Sequence, residues 1–78
     1  MEQLTRVRIE QAAWDGVPMP EKLNPFEQLY WHGMCFIFHN FKNGLVNKET
    51  TYRYRDALFT EVEALEKEVL PHGDDQAR

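Results

Sequence analysis

Three side chains within eighteen residues have the chemistry to bind a metal or attack a substrate: His32, Cys35 and His39. Imidazole and thiolate are the usual ligands of zinc, and spacings of three and four place them on one side of a helix. The same helix separates His32 from His39 by about 10 Å of rise. Zinc bonds of about 2.0–2.3 Å cannot close that gap. Only neighbouring pairs could chelate, and the one other imidazole is His72, far along the chain. Cys35 with His39 has the outline of an activated nucleophile, yet no third group orients the base and no loop supplies an oxyanion hole. There is no glycine-rich phosphate loop, no H-E-x-x-H and no pair of acids flanking a cleft. The sequence therefore predicts no enzyme, no metal and no cofactor.

Arginines give the second candidate chemistry. Arg6 and Arg8 form one pair, and Arg53 and Arg55 alternate with Tyr52 and Tyr54. Guanidinium groups with interleaved aromatics suit phosphate contact and base stacking. Against this, helical residues two apart point in different directions, and Glu10, Glu49 and Asp56 lie within pairing reach. The net charge of −4, from 13 acids and 9 bases, also repels a polyanion. A small nucleic-acid-binding module using Arg53 and Arg55 is the alternative reading. Acids give the third. Glu61, Glu63, Glu66 and Glu68, followed by Asp74 and Asp75, crowd the end of a helix whose dipole is already negative, with Lys67 alone to offset them. Such a placement suits a basic partner surface as well as plain solvation.

Positioning these groups falls to three helices with legible ends. The first runs over about residues 2–14 and stops at Asp15-Gly16; its apolar stripe, Leu4, Val7, Ile9, Ala12 and Ala13, is weak. Pro18 and Pro20 then enforce an extended crossing from Val17 to Leu23. The second covers about 25–43. Asn24 caps it, Pro25 takes the first helical position, Glu27 completes a capping box, and Gly44 closes the far end with Leu45 behind it. Asn47 caps the third, over about 48–70, which is expected to stop at Pro71 and leave 71–78 as a flexible tail. The fold expected is a single all-α domain over 1–70, with helices two and three as an antiparallel αα-hairpin and helix one packed across it.

Helix three carries one stripe, Thr51, Tyr54, Leu58, Val62, Leu65 and Val69. Helix two is greasier. Phe26, Tyr30, Gly33, Met34, Ile37 and Phe41 define its main face, Trp31 and Phe38 one flank with Cys35 beyond, and Leu29 and Phe36 the other. At about 100° per residue, roughly 260° of its circumference is apolar, against little more than 100° for an ordinary surface helix. A chain of 78 residues with ten aromatic side chains has little interior to hide them in. Either helix two is simply the central helix of a small core, or a docking surface for a partner or second copy is built on Trp31, Phe38, Tyr52 and Phe59. Gly33, on the main face, is expected to admit the backbone of a neighbouring helix. With Cys35 as the lone cysteine, no apolar leader and no run of ~20 apolar residues, the chain is expected in a reducing cytoplasm rather than in a membrane.

Three segments resemble a known group: Ile9-Glu10-Gln11-Ala12-Ala13-Trp14-Asp15-Gly16, Leu23-Asn24-Pro25-Phe26-Glu27-Gln28-Leu29 and Phe41-Lys42-Asn43-Gly44-Leu45-Val46-Asn47-Lys48-Glu49. Together they are similar to small helical proteins of prophages and mobile elements in Gram-positive anaerobes, over roughly Arg6 to Glu66. The resemblance implies a context, not a residue role: small acidic phage proteins that inhibit host defence, anti-CRISPR proteins among them. The expectation is a non-catalytic protein–protein interaction module that inhibits a nucleic-acid-handling complex. Its partner would be met through Trp31, Phe38, Tyr52, Phe59 and the acids Glu61, Glu63, Glu66 and Glu68. A structural homo-oligomer is the further alternative.

Overall fold

Local hydrogen-bonding devices close both ends of the second helix, stop the first and start the third. In the computed structural model, which describes residues 1–76 and side chains up to 69, the chain folds as α1 (Gln3–Asp15), α2 (Pro25–Lys42) and α3 (Lys48–Gln76), with no strand among the described residues. The α2 capping box is complete: the Glu27 amide donates to Asn24 Oδ1 at 2.9 Å, and the Asn24 amide donates to Glu27 Oε1 at 2.9 Å. At its other end Gly44 turns left-handed at φ 75°, and the Leu45 and Gly44 amides donate to the Asn40 and Phe41 carbonyls. That is a Schellman closure, and it consumes carbonyls that would otherwise be orphaned. Asn47 Oδ1 accepts from the Thr50 amide at 2.7 Å and starts α3. Gly16, at φ 72°, stops α1 in the same left-handed way.

Pro71 does not stop α3. The helix runs on to Gln76, so most of the expected tail is helical in assignment; residues 77–78, and the side chains of His72, Asp74 and Asp75, lie outside the described residues. A proline withdraws one backbone donor and crowds the preceding turn, which penalises a helix without forbidding it. At 29 residues α3 is about 43 Å long, against about 27 Å for α2. Its far end therefore extends past its neighbours.

Side-chain contacts give the path of the chain. Along α2 and α3 they pair rising positions with falling ones: Asn24 with Glu66, Tyr30 with Phe59, Gly33 with Leu58, Phe38 with Thr51. Along α1 and α2 they rise together, Glu10 meeting Tyr30 and Trp14 meeting Phe38 and Phe41. α2 is thus central, and its contacts with α3 are the most extensive. The linker from Val17 to Pro20 lies along α1, beside Val7, Arg8, Gln11, Ala12 and Asp15, rather than over α2. Lys22 turns it back with φ 62°, an unusual conformation for a residue with a Cβ.

The core is Ile9, Ala13, Tyr30, Met34, Ile37, Phe38 and Val62, edged by Met1, Leu23, Phe26, Trp31, Cys35, Leu58 and Phe59. One polar bridge crosses it. The buried Tyr30 hydroxyl donates to Glu10 Oε2, which also accepts from Arg6 Nε at 2.7 Å. Arg6 reaches on to Asp56 at 3.1 Å and lays its guanidinium 3.9 Å from the centre of the Phe59 ring. Burial and the carboxylate of Glu10 together push the Tyr30 phenol far above its ordinary range, so it stays a donor. Arg6, Glu10, Tyr30 and Asp56 thus tie the three helices together.

The stripe expected on α3 is only half right. Thr51 and Val62 are buried and Leu58 is half-buried, but Tyr54, Leu65 and Val69 are exposed. Gly33 likewise admits something other than expected: a Cβ there would collide with the Leu58 side chain, not with a backbone.

Candidate interaction site

The ends of all three helices meet in one place. Trp14 from the last turn of α1, Phe38 and Phe41 from α2, and Lys48, Thr51 and Tyr52 from the start of α3 enclose a cavity of about 380 Å³. The Trp14 indole stands edge-on to Phe38, with ring centres 5.2 Å apart and planes at 87°, and tilts over Phe41 at 5.9 Å. Thr51 turns its hydroxyl away to donate to the Asn47 carbonyl at 2.8 Å, which leaves its methyl to the cavity. The walls are therefore apolar. Cations stand at the rim: Lys42 lies 4.5 Å from the centre of the Trp14 ring and donates to the Trp14 carbonyl, Lys48 lies 5.8 Å from the Tyr52 ring, and Arg55 lies 4.9 Å from the same ring. A concave apolar site of this volume, edged by charge, has room for a large apolar side chain.

The four aromatic residues expected to form one surface do not. Phe38 and Tyr52 come together in this cavity, but Phe38 is only 9% exposed and belongs to the core, because Trp14 of α1 lies against it. Phe59 is half-buried between Tyr30, at 5.7 Å, and the Arg6 guanidinium. Trp31 is half-buried against the core on the same flank as Phe38, and its Nε1 is buried with no acceptor. Trp14 and Phe41, which the sequence reading passed over, supply half the aromatic wall. Phe41 falls in the last turn before the Gly44 stop and so lies beside the start of α3, whereas Trp14 reaches the same end only because α1 packs alongside α2.

The four acids also separate. Counting about 100° per residue, Glu61 and Glu68 point one way and Glu63 and Glu66 the opposite way. Glu63 and Glu66 face inward and grip the Met1 ammonium at 2.7 and 3.1 Å. The bond from that ammonium holds the Glu63 carboxyl below its usual range, and the bond to Glu63 raises the amine in turn. Only Glu61 and Glu68 stand free toward solvent.

A second surface appears on the other flank of α2. Leu29 and Phe36 are 46% and 66% exposed, and beside them on α3 lie Tyr54 and Leu65 at 49% and 40%, with Leu58 in the seam. α1 packs on the far side of α2 and covers none of them.

The remaining candidates are dispersed. Arg55 pairs with Asp56 at 3.0 Å and stacks on Tyr52, whereas Arg53 is exposed and points about 160° away from it. Among the described residues no group of three His, Cys, Asp or Glu side chains is placed to hold a metal ion. Cys35 is half-buried, and desolvation raises its thiol pKa, the opposite of what a nucleophile needs. No described helix is long and apolar enough to cross a membrane. Comparison with protein-family models, curated proteins and solved structures gave no match to this chain.

Proposed function

We propose that this chain is a non-catalytic protein–protein interaction module, built as an antiparallel αα-hairpin of α2 and α3 with α1 laid along it. The observation that carries the reading is the cavity walled by Trp14, Phe38, Phe41 and Tyr52. Aromatic-lined recesses that exclude water concentrate binding energy in one or two anchor side chains of a partner. Lys42 and Lys48 at the rim favour an anchor flanked by acidic residues. On the prophage resemblance, the partner is a component of a host defence or nucleic-acid-handling complex in the bacterial cytoplasm, and the chain acts as its inhibitor. Glu68, toward the other end of α3, would then meet a basic part of that complex; Glu63 and Glu66 are occupied within the fold.

Selection of random displayed peptides on the intact chain tests the anchor. Enriched peptides are expected to share a large apolar residue beside Asp or Glu. Tyr52→Ala should weaken them at least tenfold, about 1.4 kcal/mol, with helix content unchanged by circular dichroism. Undiminished binding to Tyr52→Ala would remove the cavity from the mechanism. Once a protein partner is in hand, reversing Glu68 should weaken its inhibition; no change would discard the acidic contact.

The nucleic-acid alternative has less to stand on. Arg53 and Arg55 diverge, and Arg55 is already engaged by Asp56 and Tyr52.

A further inference from the structure

Among the described residues, none covers the face opposite α1. Its residues come from two adjacent helices: Leu29 and Phe36 on α2, Tyr54 and Leu65 on α3, and Leu58 filling the notch at Gly33 between them. At about 100° per residue, Leu29 and Phe36 fall within about 20° of one another, as do Tyr54 and Leu65. No lysine or arginine of either helix falls on this face by the same count. By the same count Asn40 and Glu61 fall on the face itself, His32 and His39 line its α2 edge, and Glu68 lies at its α3 edge; the two histidines and two glutamates are exposed.

Size and edge chemistry together select the occupant. With 150–250 Å² per aromatic side chain, the four exposed residues leave on the order of 400 Å² of apolar surface. At the roughly 60% apolar share of a protein interface, that is the centre of a contact of about 700 Å² per copy. A stable complex of ordinary size buries about 800 Å² on each side. A patch with histidine beside one helix and a carboxylate on the other is complementary to itself. A two-fold axis parallel to the helices lays α2 of one copy against α3 of the next at the same height, which brings His32 to within about one turn of the other copy's Glu61. Under that operation facing helices run in opposite directions, as in an up-and-down four-helix bundle.

We infer that the Leu29–Phe36–Tyr54–Leu65 face is occupied by a second copy of this chain, in a two-fold dimer whose four central helices are α2 and α3 of each copy. The cavity at the helix ends lies on the α1 side and stays open in the dimer. Dimerisation and partner anchoring are therefore separable.

The test is sedimentation equilibrium of the full chain between 1 and 300 µM, these being about the limits set by K_d values of an ordinary interface. The expected mass is twice 9.3 kDa at the upper end. Phe36→Glu and Tyr54→Glu should each yield monomer with unchanged helix content, whereas Tyr52→Ala in the cavity should leave the dimer intact. A monomer at every concentration, or a dimer indifferent to both Phe36→Glu and Tyr54→Glu, would overturn the proposal and leave the cavity reading untouched. The orientation is read from a charge swap. His32→Glu and Glu61→Lys should each weaken the dimer several-fold, and the two together should restore it. Absence of rescue would refute the parallel axis.

Discussion

The two flanks of α2 are close to equal in composition and opposite in fate. Trp31 and Phe38 on one side, Leu29 and Phe36 on the other, each offer a bulky apolar pair about two turns apart. Phe38 ends in the core under Trp14 and Trp31 packs at its edge, while Phe36 keeps two thirds of its surface in water. Nothing in the side chains themselves makes that difference. It follows from which side α1 takes, and the polar bridge from Arg6 and Glu10 to Tyr30 fixes that choice. An apolar flank on a helix is therefore evidence of a contact, but not of whether the contact is internal.

Paired substitutions give the largest contrast between the flanks. Met34→Ala, beneath α1, should cost about 2–5 kcal/mol, the range for truncating a fully buried large side chain. Phe36→Ala should change monomer stability by only about 0.5 kcal/mol or less. Urea melts of the two variants at micromolar concentration would measure both, and equal losses would dissolve the distinction. An intermediate effect is expected where the covered side is bridged by polar groups. Tyr30→Phe removes the donor to Glu10 and should cost about 1–2 kcal/mol, seen as an earlier midpoint with the same slope. A neutral result would mean the bridge does not hold α1 in place.

The smallest effect concerns the inward acids. Glu63 has its folded pKa lowered by the Met1 ammonium, so its contribution is present above the ordinary carboxylate range and is lost as pH falls through the folded value. The Met1 amine is raised by Glu63, so its share is complete below about pH 8 and is lost as pH rises through its own folded value. Acetylating the amine should remove both shoulders from the stability–pH curve, at about 0.5 kcal/mol each. Persistence of the alkaline shoulder after acetylation would show that Glu63 and Glu66 are not held this way. Glu61 and Glu68, facing outward, should leave that curve unchanged when mutated.

Much of the architecture could be read from short stretches of sequence. Asn24 with Glu27, Asn47, Gly16 and Gly44 mark helix ends through bonds that span six residues or fewer, and each is found where its pattern predicts. Pro71 is the exception, because a proline only penalises a helix and α3 continues through it. The site was less legible. Phe38 and Tyr52 do share a cavity, but Trp31 and Phe59 belong to other contacts, and Trp14 and Phe41 were needed to complete it. Periodicity also merged four glutamates that helical geometry separates into two opposed pairs.

By itself, then, the sequence determined the ends of α2, the end of α1 and the start of α3, and that α2 carries more apolar surface than one neighbour can cover. Those properties depend on residues close in the chain and on dihedral preferences that act locally. The tertiary structure alone decided which flank of α2 is buried, which glutamates are spent on the Met1 amine, and which rings from three separate helices close into a cavity. These are relations between residues up to 65 positions apart, set by how the core packs, and no local pattern encodes them.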